Sequence, residues 1–289
     1  MSKMKKRLIN NNNTNNDLNS DSDFKPLSDF YWAGPYQTHA RRRRAILKKY
    51  PQIRQLMHHD QKFKWHCLAV VTIQLVSFFI ISYILLDGFS LMSNRYYYNN
   101  NLHWSLRTFG LFLFGFLVTC PLNHMLVIAI HDIAHNQAFG SDHFLANRLF
   151  GMVVSLPTTL PISFGFYKYH KDHHAYLGRV ADTDLPFEWE GRLINTPLRK
   201  VLHLIIYPMM FAIRPSLISP KPTHWLDVFT FAVQIGFDYL LYQCMGATMT
   251  IYIFFCTGLV GIHPIGTHVL TEHFVFFRKE VKFFVLFCF

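Results

Sequence analysis

Charged residues are scarce in this chain. Only 16% of its 289 residues are Asp, Glu, Lys or Arg, whereas 51% are hydrophobic and 17% are aromatic, including 29 Phe. A soluble domain usually carries about a quarter charged residues. The composition therefore argues against a large soluble core and favours a protein that is inserted in a membrane.

The sequence also lacks the motifs of several enzyme classes. It contains no P-loop, no GxGxxG and no evident Ser-His-Asp arrangement, so it has no flavin or nicotinamide fingerprint of its own. The five cysteines form no CxxC pair, and most of them lie in apolar runs, which favours small buried hydrophobic residues over disulfides or zinc ligands. No apolar h-region follows Met1, and Ser2 replaces the glycine that N-myristoylation needs, so we expect neither a cleaved signal peptide nor that lipid anchor.

The net charge of +11 comes from basic residues that lie next to apolar segments. This distribution is typical of cytoplasmic loops under the positive-inside rule and does not favour nucleic acid as a partner. The run Arg41–Arg44 is either a solvated helix face or a patch that touches anionic lipid headgroups. Both interpretations locate it in the cytoplasm.

Composition divides the chain into four parts. We predict a disordered Asn-rich tail at 1–23, a cytoplasmic N-terminal segment with a basic patch at 24–64, a membrane domain at 65–278 and a divergent C-terminal tail at 279–289.

The expected fold is all-α and integral to the membrane, with about four transmembrane helices plus interfacial helices. The predicted spans are 65–86, 107–130, 226–245 and 247–262, the last two forming a hairpin around Gly246. The apolar run 144–166 is interrupted by polar residues and prolines, and we predict an interfacial or re-entrant segment there because a crossing would separate the two histidine runs described next. We expect a loop at 178–197, an apolar patch at 198–214 broken by Pro208, and a Pro-rich linker at 215–222.

Two short histidine runs follow apolar segments. His131 and His135 are four residues apart, and His170, His173 and His174 are spaced by three and four, so each run lies on one helix face. Neutral imidazoles suit divalent metals, and five of them exceed what one tetrahedral zinc ion needs. A single histidine on an apolar helix is more often packed or surface-exposed, but the paired runs predict a histidine-rich site for more than one metal ion at the membrane edge.

Four acidic residues follow the second run, in the predicted loop: Asp182, Asp184, Glu188 and Glu190. We expect them to be solvated. The alternative is that they line a substrate entrance.

Breaking an unactivated alkyl C–H bond calls for an oxidant made from O₂ at a metal, and two iron ions acting together supply the electrons that cleave O₂. Clustered histidines at a membrane interface favour this chemistry, because O₂, an electron donor and a lipid chain meet there. The sequence carries no electron-donating cofactor, so we expect electrons from a partner. A cytoplasmic Arg/Lys surface suits an acidic redox protein.

Six motifs closely resemble sphingolipid delta(4)-desaturases, also called dihydroceramide desaturases, and the resemblance runs from about residue 29 to about residue 278. The motifs are YQTHARRR at 36–43, KKYPQI at 48–53, AIHDIAHNQAFG at 129–140, YHKDHHAYLG at 169–178, RPSLISPKP at 214–222 and HPIGTH at 263–268.

This resemblance implies a non-haem di-iron enzyme of the endoplasmic reticulum membrane, multi-pass, with cytoplasmic histidine boxes. Such enzymes introduce the 4,5-trans double bond into dihydroceramide to give ceramide, using O₂ and electrons relayed from NADH by cytochrome b5 reductase and cytochrome b5. His131 and His135 match the first histidine box, and His170, His173 and His174 match the second. His268 matches a further metal ligand, and His263 and His273 match it less well.

The family carries a third box, HxxHH, beyond the position of His273, and no such run precedes Phe289 here. The last stretch, 281–289, does not resemble the family. We therefore expect the chain as written to bind iron weakly and to be inactive.

Three alternatives stay open. The same oxidant could hydroxylate C4 of the sphingoid base instead of desaturating it. The chain could be a non-catalytic membrane protein that binds lipid or a full-length enzyme. It could also be a zinc or iron transporter, although a transporter would need polar residues deep in its spans, where we expect few.

Overall fold

The computed structural model of the protein describes residues 38–85, 101–176, 182–185 and 188–266. These residues form α-helices and short 3₁₀ and π turns, without a strand among them, as the sequence predicts. The α-helices are α1 (Thr38–Lys49), α2 (Phe63–Leu85), α3 (Asn101–Phe114), α4 (Cys120–Ala134), α5 (Phe144–Ser155), α6 (Ser163–Tyr176), α7 (Glu188–Leu193), α8 (Pro197–Ile218) and α9 (Trp225–Leu259). The two predicted tails, 1–23 and 279–289, lie outside the described residues.

Three helical stretches are long and apolar enough to cross a membrane. They are Phe63–Ile84, Leu106–Ala134 and Trp225–Leu259, with mean hydropathies of 2.3, 2.0 and 1.3. The second is continuous from α3 to α4 through the π-helical turn Gly115–Thr119. At a rise of about 1.5 Å per residue, the first two stretches exceed the roughly 30 Å of a bilayer core, and so does the part of the third stretch that precedes Gly246. The first two agree with the predicted spans to within a few residues.

The third stretch, α9, folds back on itself at Gly246. The backbone there has φ 80° and ψ 171°, which is not helical. The Gln234 side chain donates to the carbonyl of Leu156, and the Thr257 hydroxyl donates to the carbonyl of Thr158. In a straight helix, residues 234 and 257 would be about 35 Å apart, too far to reach carbonyls two residues apart. The geometry therefore agrees with the predicted turn at Gly246. The helix after the turn ends at Leu259, about 20 Å of rise later, so the predicted span 247–262 is too short to cross a bilayer core and is not a separate candidate span.

The segment between the two histidine runs enters the helical core and returns. Phe144–Thr158 and Ser163–Tyr176 are bent by 111° at the short break between them. Arg148, near the start of α5, donates to the carbonyl of Ile133, and His170, in the second half of α6, lies against His135. Both ends of the segment thus lie beside the end of α4, as a re-entrant segment requires.

Helix α8 differs from the prediction, because it continues through Pro208 and Pro215 to Ile218. A proline inside a helix leaves the carbonyl four residues earlier without its helical partner, here that of Leu204. Gly261 packs at this point so closely that a Cβ on it would lie 2.2 Å from the Leu204 oxygen. The close approach of another segment supports the interrupted turn, which the local sequence alone does not reveal. The predicted loop at 178–197 also contains the short helix α7.

Polar side chains connect the apolar helices deep in the core. Gln74 on α2 donates to Asn123 on α4 at 2.8 Å, and Asn123 donates to Thr257 on α9 at 3.0 Å. All three side chains are buried, which corrects the expectation of few polar residues inside the spans. They hydrogen-bond to one another across three helices and so stabilise the packing of these helices. Apolar residues from α2, α4 and α5 complete the packing near the histidine runs: Cys67, Val71, Leu126, Ile130, Ile133 and Val154.

Candidate metal centre

Helices α4 and α6 end side by side and bring four imidazoles together. The four-imidazole group consists of His131, His135, His170 and His174, and each offers a ligand atom within 4.8 Å of the others. The Nε2 atoms of His135 and His170 are 3.1 Å apart, those of His135 and His174 are 3.1 Å apart, and those of His170 and His174 are 2.9 Å apart. The i, i+4 spacing in each run causes this convergence, because it stacks both imidazoles on one helix face.

These distances fit a bound metal ion. Nitrogens that each lie about 2.1 Å from one ion are roughly 3 Å apart. Three imidazoles already have this separation, and His131 lies beside them, with its ring centroid 4.9 Å from that of His135 and 4.6 Å from that of His170. The four-imidazole group therefore has the size and donor set of a site for one divalent ion. A second ion stays a prediction.

His135 is held in the neutral form that binds metal. Burial, and then the neighbouring imidazoles of His131 and His170, lower the pKa of His135 to about 4. At pH 7 its ring therefore keeps a nitrogen lone pair.

Carboxylates contact the outer nitrogens of the histidines. His131 Nδ1 lies 3.0 Å from Asp132 Oδ1, and His170 Nδ1 lies 3.3 Å from Asp184 Oδ2. An Nδ1–H that donates to a carboxylate leaves Nε2 unprotonated and fixes the ring orientation, which is the usual support of metal-binding histidines. For His170, Nε2 is the atom that faces His135 and His174.

The acidic segment after the second run is buried, contrary to expectation. Asp182 is 1% exposed and Asp184 is 2% exposed. They occupy this position because Asp184 accepts from His170, Asp182 accepts from His173 at 2.8 Å, and the Asp184 amide donates to Asp182. No motif spacing points to these acids. The need of each metal-binding imidazole for an outer acceptor is the signal that could have found them.

His173, a predicted ligand, is not part of the four-imidazole group. It is buried, with its ring centroid 5.5 Å from that of His170 and its Nδ1 turned to Asp182. Its role as a ligand stays a prediction.

The third histidine region comprises His263, His268 and His273, and the structure describes only the first of them. His268 and His273 lie outside the described residues, so their roles stay predictions. His263 is buried against Phe116, with ring centroids 4.5 Å apart. Phe116 precedes His131 by fifteen residues, which is about 22 Å of helix rise. His263 therefore lies away from the four-imidazole group, and the structure does not support it as a further ligand there.

Two buried arginines frame the site, and sequence reasoning assigned a role to neither. Arg148 lies 3.8 Å from the centre of the Tyr167 ring and donates to the Asn136 side chain and to the carbonyl of Ile133. It thereby satisfies the last turn of α4, which carries the first histidine run. The signal was a single arginine inside an apolar run.

Arg214 on α8 pairs with Glu190 on α7, and this corrects the expectation that Glu190 is solvated. Its Nη2 lies 2.7 Å from one carboxylate oxygen, its Nε lies 3.2 Å from the other, and both residues are buried. A two-point pair of this kind fixes orientation as well as distance. It joins α7 to α8. The side chain of Glu188 lies outside the described part of the chain.

The helices and the four-imidazole group together define a helical protein with a histidine cluster at the end of apolar helices, and the size and donor set of that cluster fit a metal ion. The family described as Sphingolipid Delta4-desaturase (DES) matches residues 26–62. The sphingolipid delta(4)-desaturase DES1 of Homo sapiens is 38% identical over 252 residues, which cover 86% of this chain and 71% of that protein. The proteins of the same name from Xenopus tropicalis and Drosophila melanogaster are 37% and 36% identical, with the same coverage. No solved structure matches.

This chain belongs to the sphingolipid delta(4)-desaturase family. The resemblance inferred from the six motifs is confirmed.

Proposed function

We propose that the protein is a multi-pass membrane desaturase that introduces the 4,5-trans double bond into dihydroceramide to give ceramide. The observation that carries the proposal is the four-imidazole group, gathered from two distant runs in a member of this family. Bound iron would supply the reaction of O₂ with an unactivated C–H bond, in a pair of ions as the resemblance implies.

Each part of the site has a distinct task. His131, His135, His170 and His174 would hold iron. Asp132 and Asp184 orient the imidazoles and set which nitrogen carries the proton. His173 and His268 stay candidates for the remaining ligands of the pair.

Exposed apolar side chains support the membrane location. On the three candidate spans, large hydrophobic residues such as Ile73, Phe112 and Ile251 are more than half exposed. Such surface is stable against lipid and costly against water. We propose that the protein lies in the endoplasmic reticulum membrane, with the four-imidazole group at the cytoplasmic face.

The electron donor would be cytochrome b5, reduced by NADH-cytochrome b5 reductase. Helix α1 supports a docking role for an acidic redox partner, because it carries exposed Arg42, Arg43, Lys48 and Lys49 and no acidic residue. Complementary charge accelerates encounter and orients the partner.

The test is product analysis in cells that lack their own desaturase. The protein is expressed, dihydroceramide is supplied, and the sphingoid bases are identified by mass spectrometry. We expect ceramide from the wild type and its loss in His135→Ala and His174→Ala. His66→Gln, a change at an exposed histidine outside the site, is the matched control and should keep activity.

Other outcomes separate the alternatives. A product hydroxylated at C4 would favour the hydroxylase over the desaturase. Iron retained without any lipid product would contradict the proposal.

A further inference from the structure

A basic cavity lies near the metal site but is separate from it. It has a volume of about 450 Å³ and lies where the segment before α2 meets the turn that follows His135. His59, Lys62 and Lys64 line it from the first side, and Phe139 and His143 line it from the second. The two walls are in direct contact, because a Cβ on Gly140 would lie 3.2 Å from His59 Nδ1.

The lining of the basic cavity is cationic and includes no carboxylate. Lys64 Nζ lies 5.2 Å from the centre of the Phe139 ring and 5.9 Å from that of Trp65, so aromatic faces hold this ammonium group at the cavity. In the part of the chain that the structure describes, neither Lys62 nor Lys64 forms an ion pair with an acid. Asp60, the nearest acid in sequence, accepts from the backbone amide of Lys62 instead. The cavity therefore offers positive charge to a ligand.

The position of the basic cavity indicates which kind of anion it binds. The first candidate span begins at Phe63, so the basic cavity lies at the end of an apolar helix, at the depth of the headgroups in a bilayer. Trp65 beside it is 63% exposed, which is typical of an aromatic ring at the membrane interface. A volume of this size suits a small organic group. A lipid phosphate with its neighbouring headgroup atoms meets these conditions.

We propose that the basic cavity binds the phosphate of an anionic membrane lipid. The proposal depends on membrane insertion of α2 but not on catalysis. Lys62 and Lys64 would contact the phosphate as charges, His59 and His143 as hydrogen-bond donors, and Trp65 would lie among the headgroups.

The turn that forms the second wall is rigidly connected to the metal centre. The Asn147 side chain donates to the carbonyls of Gly140 and His143, and the Phe139 amide donates to its oxygen. The adjacent Arg148 holds the end of α4. A lipid in the basic cavity would therefore contact the same turn that follows His135.

The experiment measures lipid binding to the full chain purified in neutral detergent. Native mass spectrometry follows titration with short-chain phosphatidic acid, with phosphatidylcholine of the same chain length, and with inorganic phosphate. We expect the order phosphatidic acid, then phosphatidylcholine, with inorganic phosphate weakest. The double variant Lys62→Gln/Lys64→Gln should lower the affinity for phosphatidic acid about tenfold or more, because it removes both positive charges that would contact the phosphate.

The matched control is Lys48→Gln/Lys49→Gln, which removes the same charge from exposed positions on α1. It should change the affinity less than about twofold, because non-specific attraction is the only contribution that it alters. Equal losses in both double variants would overturn the proposal, and so would equal binding of the two lipids. Inorganic phosphate binding as tightly as phosphatidic acid would overturn the lipid assignment.

Two further readouts keep the result unambiguous. If the double variant does not yield folded protein, His143→Gln, at an exposed position, takes its place with an expected loss of about threefold. Metal content is measured on the same samples. Lipid selectivity without bound metal would defeat the proposed function alone, whereas bound metal without lipid selectivity would defeat this inference alone.

Discussion

Asp184 is a buried carboxylate whose contact with His170 explains its position. In Asp184→Asn the His170 imidazole loses its charged hydrogen-bond acceptor, so its ring orientation is less firmly fixed and its basicity is lower. We expect metal affinity to fall by roughly 10- to 100-fold, the usual effect of losing such a partner. Competition with a chelator of known affinity measures this. Asp142→Asn, at an exposed aspartate, is the control, and an affinity of Asp184→Asn equal to that of the control would show that the contact does not tune the site.

Arg214 and Glu190 form a buried ion pair between α8 and α7. In Arg214→Met the buried Glu190 carboxylate loses both contacts with the guanidinium, which should destabilise the fold by about 3–5 kcal/mol. Unfolding of the detergent-solubilised protein measures the loss. Arg199→Met, at an exposed arginine, should change stability by less than about 0.5 kcal/mol.

A double variant, Arg214→Met/Glu190→Leu, separates charge from shape. Removing both charges should recover part of the stability, because two apolar side chains can replace a buried ion pair. A double variant less stable than Arg214→Met alone would contradict this account of the pair.

The turn within helix α9 depends on the backbone conformation of one residue. Gly246 adopts φ 80° and ψ 171°, a conformation that is essentially restricted to glycine. Apart from the adjoining backbone, no atom lies within 4 Å of a Cβ added there, and the same holds at Gly236 inside the first half of α9. A comparison of the two glycines therefore isolates backbone strain from crowding.

Gly246→Ala should lower stability by about 1–3 kcal/mol. Gly236→Ala should leave it unchanged or raise it slightly, because alanine favours a helix. Thermal unfolding in detergent measures both variants. Equal effects would mean that the turn of α9 does not require the observed backbone conformation.

The sequence predicted those elements whose causes are local. Histidine spacing places His131 with His135 and His170 with His174, and uninterrupted apolar runs define α2 and the span that ends with α4. The continuity of α8 could not be predicted, because its local sequence contains Pro208 and Pro215 and does not reveal that Gly261 packs against Leu204 from another segment. The burial of Asp182 and Asp184 was missed for the same reason, since their partners are the histidines of α6.

The four-imidazole group and the turn of α9 lie at opposite ends of the helical bundle. Lys168 on α6 contacts Asp227 at 2.7 Å, which fixes the start of α9 near the histidine end. Gly246 lies 21 positions after Trp225, a helix rise of about 31 Å, which is the thickness of a bilayer core. The two ends should therefore face different compartments.

Cysteine labelling in sealed microsomes tests this arrangement. Ser141→Cys and Thr248→Cys place thiols at exposed positions near the two ends. A membrane-impermeant maleimide should label Ser141→Cys in intact microsomes and Thr248→Cys only after permeabilisation. The unsubstituted chain controls for its own cysteines. Labelling of both variants in intact microsomes would contradict a hairpin that crosses the membrane.

X-ray absorption at the iron edge of the metal-loaded protein is the most direct measurement of whether imidazoles from α4 and α6 share a metal. The structure predicts a shell with several imidazole nitrogens at about 2.1 Å. In His135→Ala/His174→Ala the average number of imidazole ligands per iron should fall, whereas in His66→Gln it should not change. A shell made of oxygen ligands, or an imidazole count that is the same in the double variant, would contradict the site.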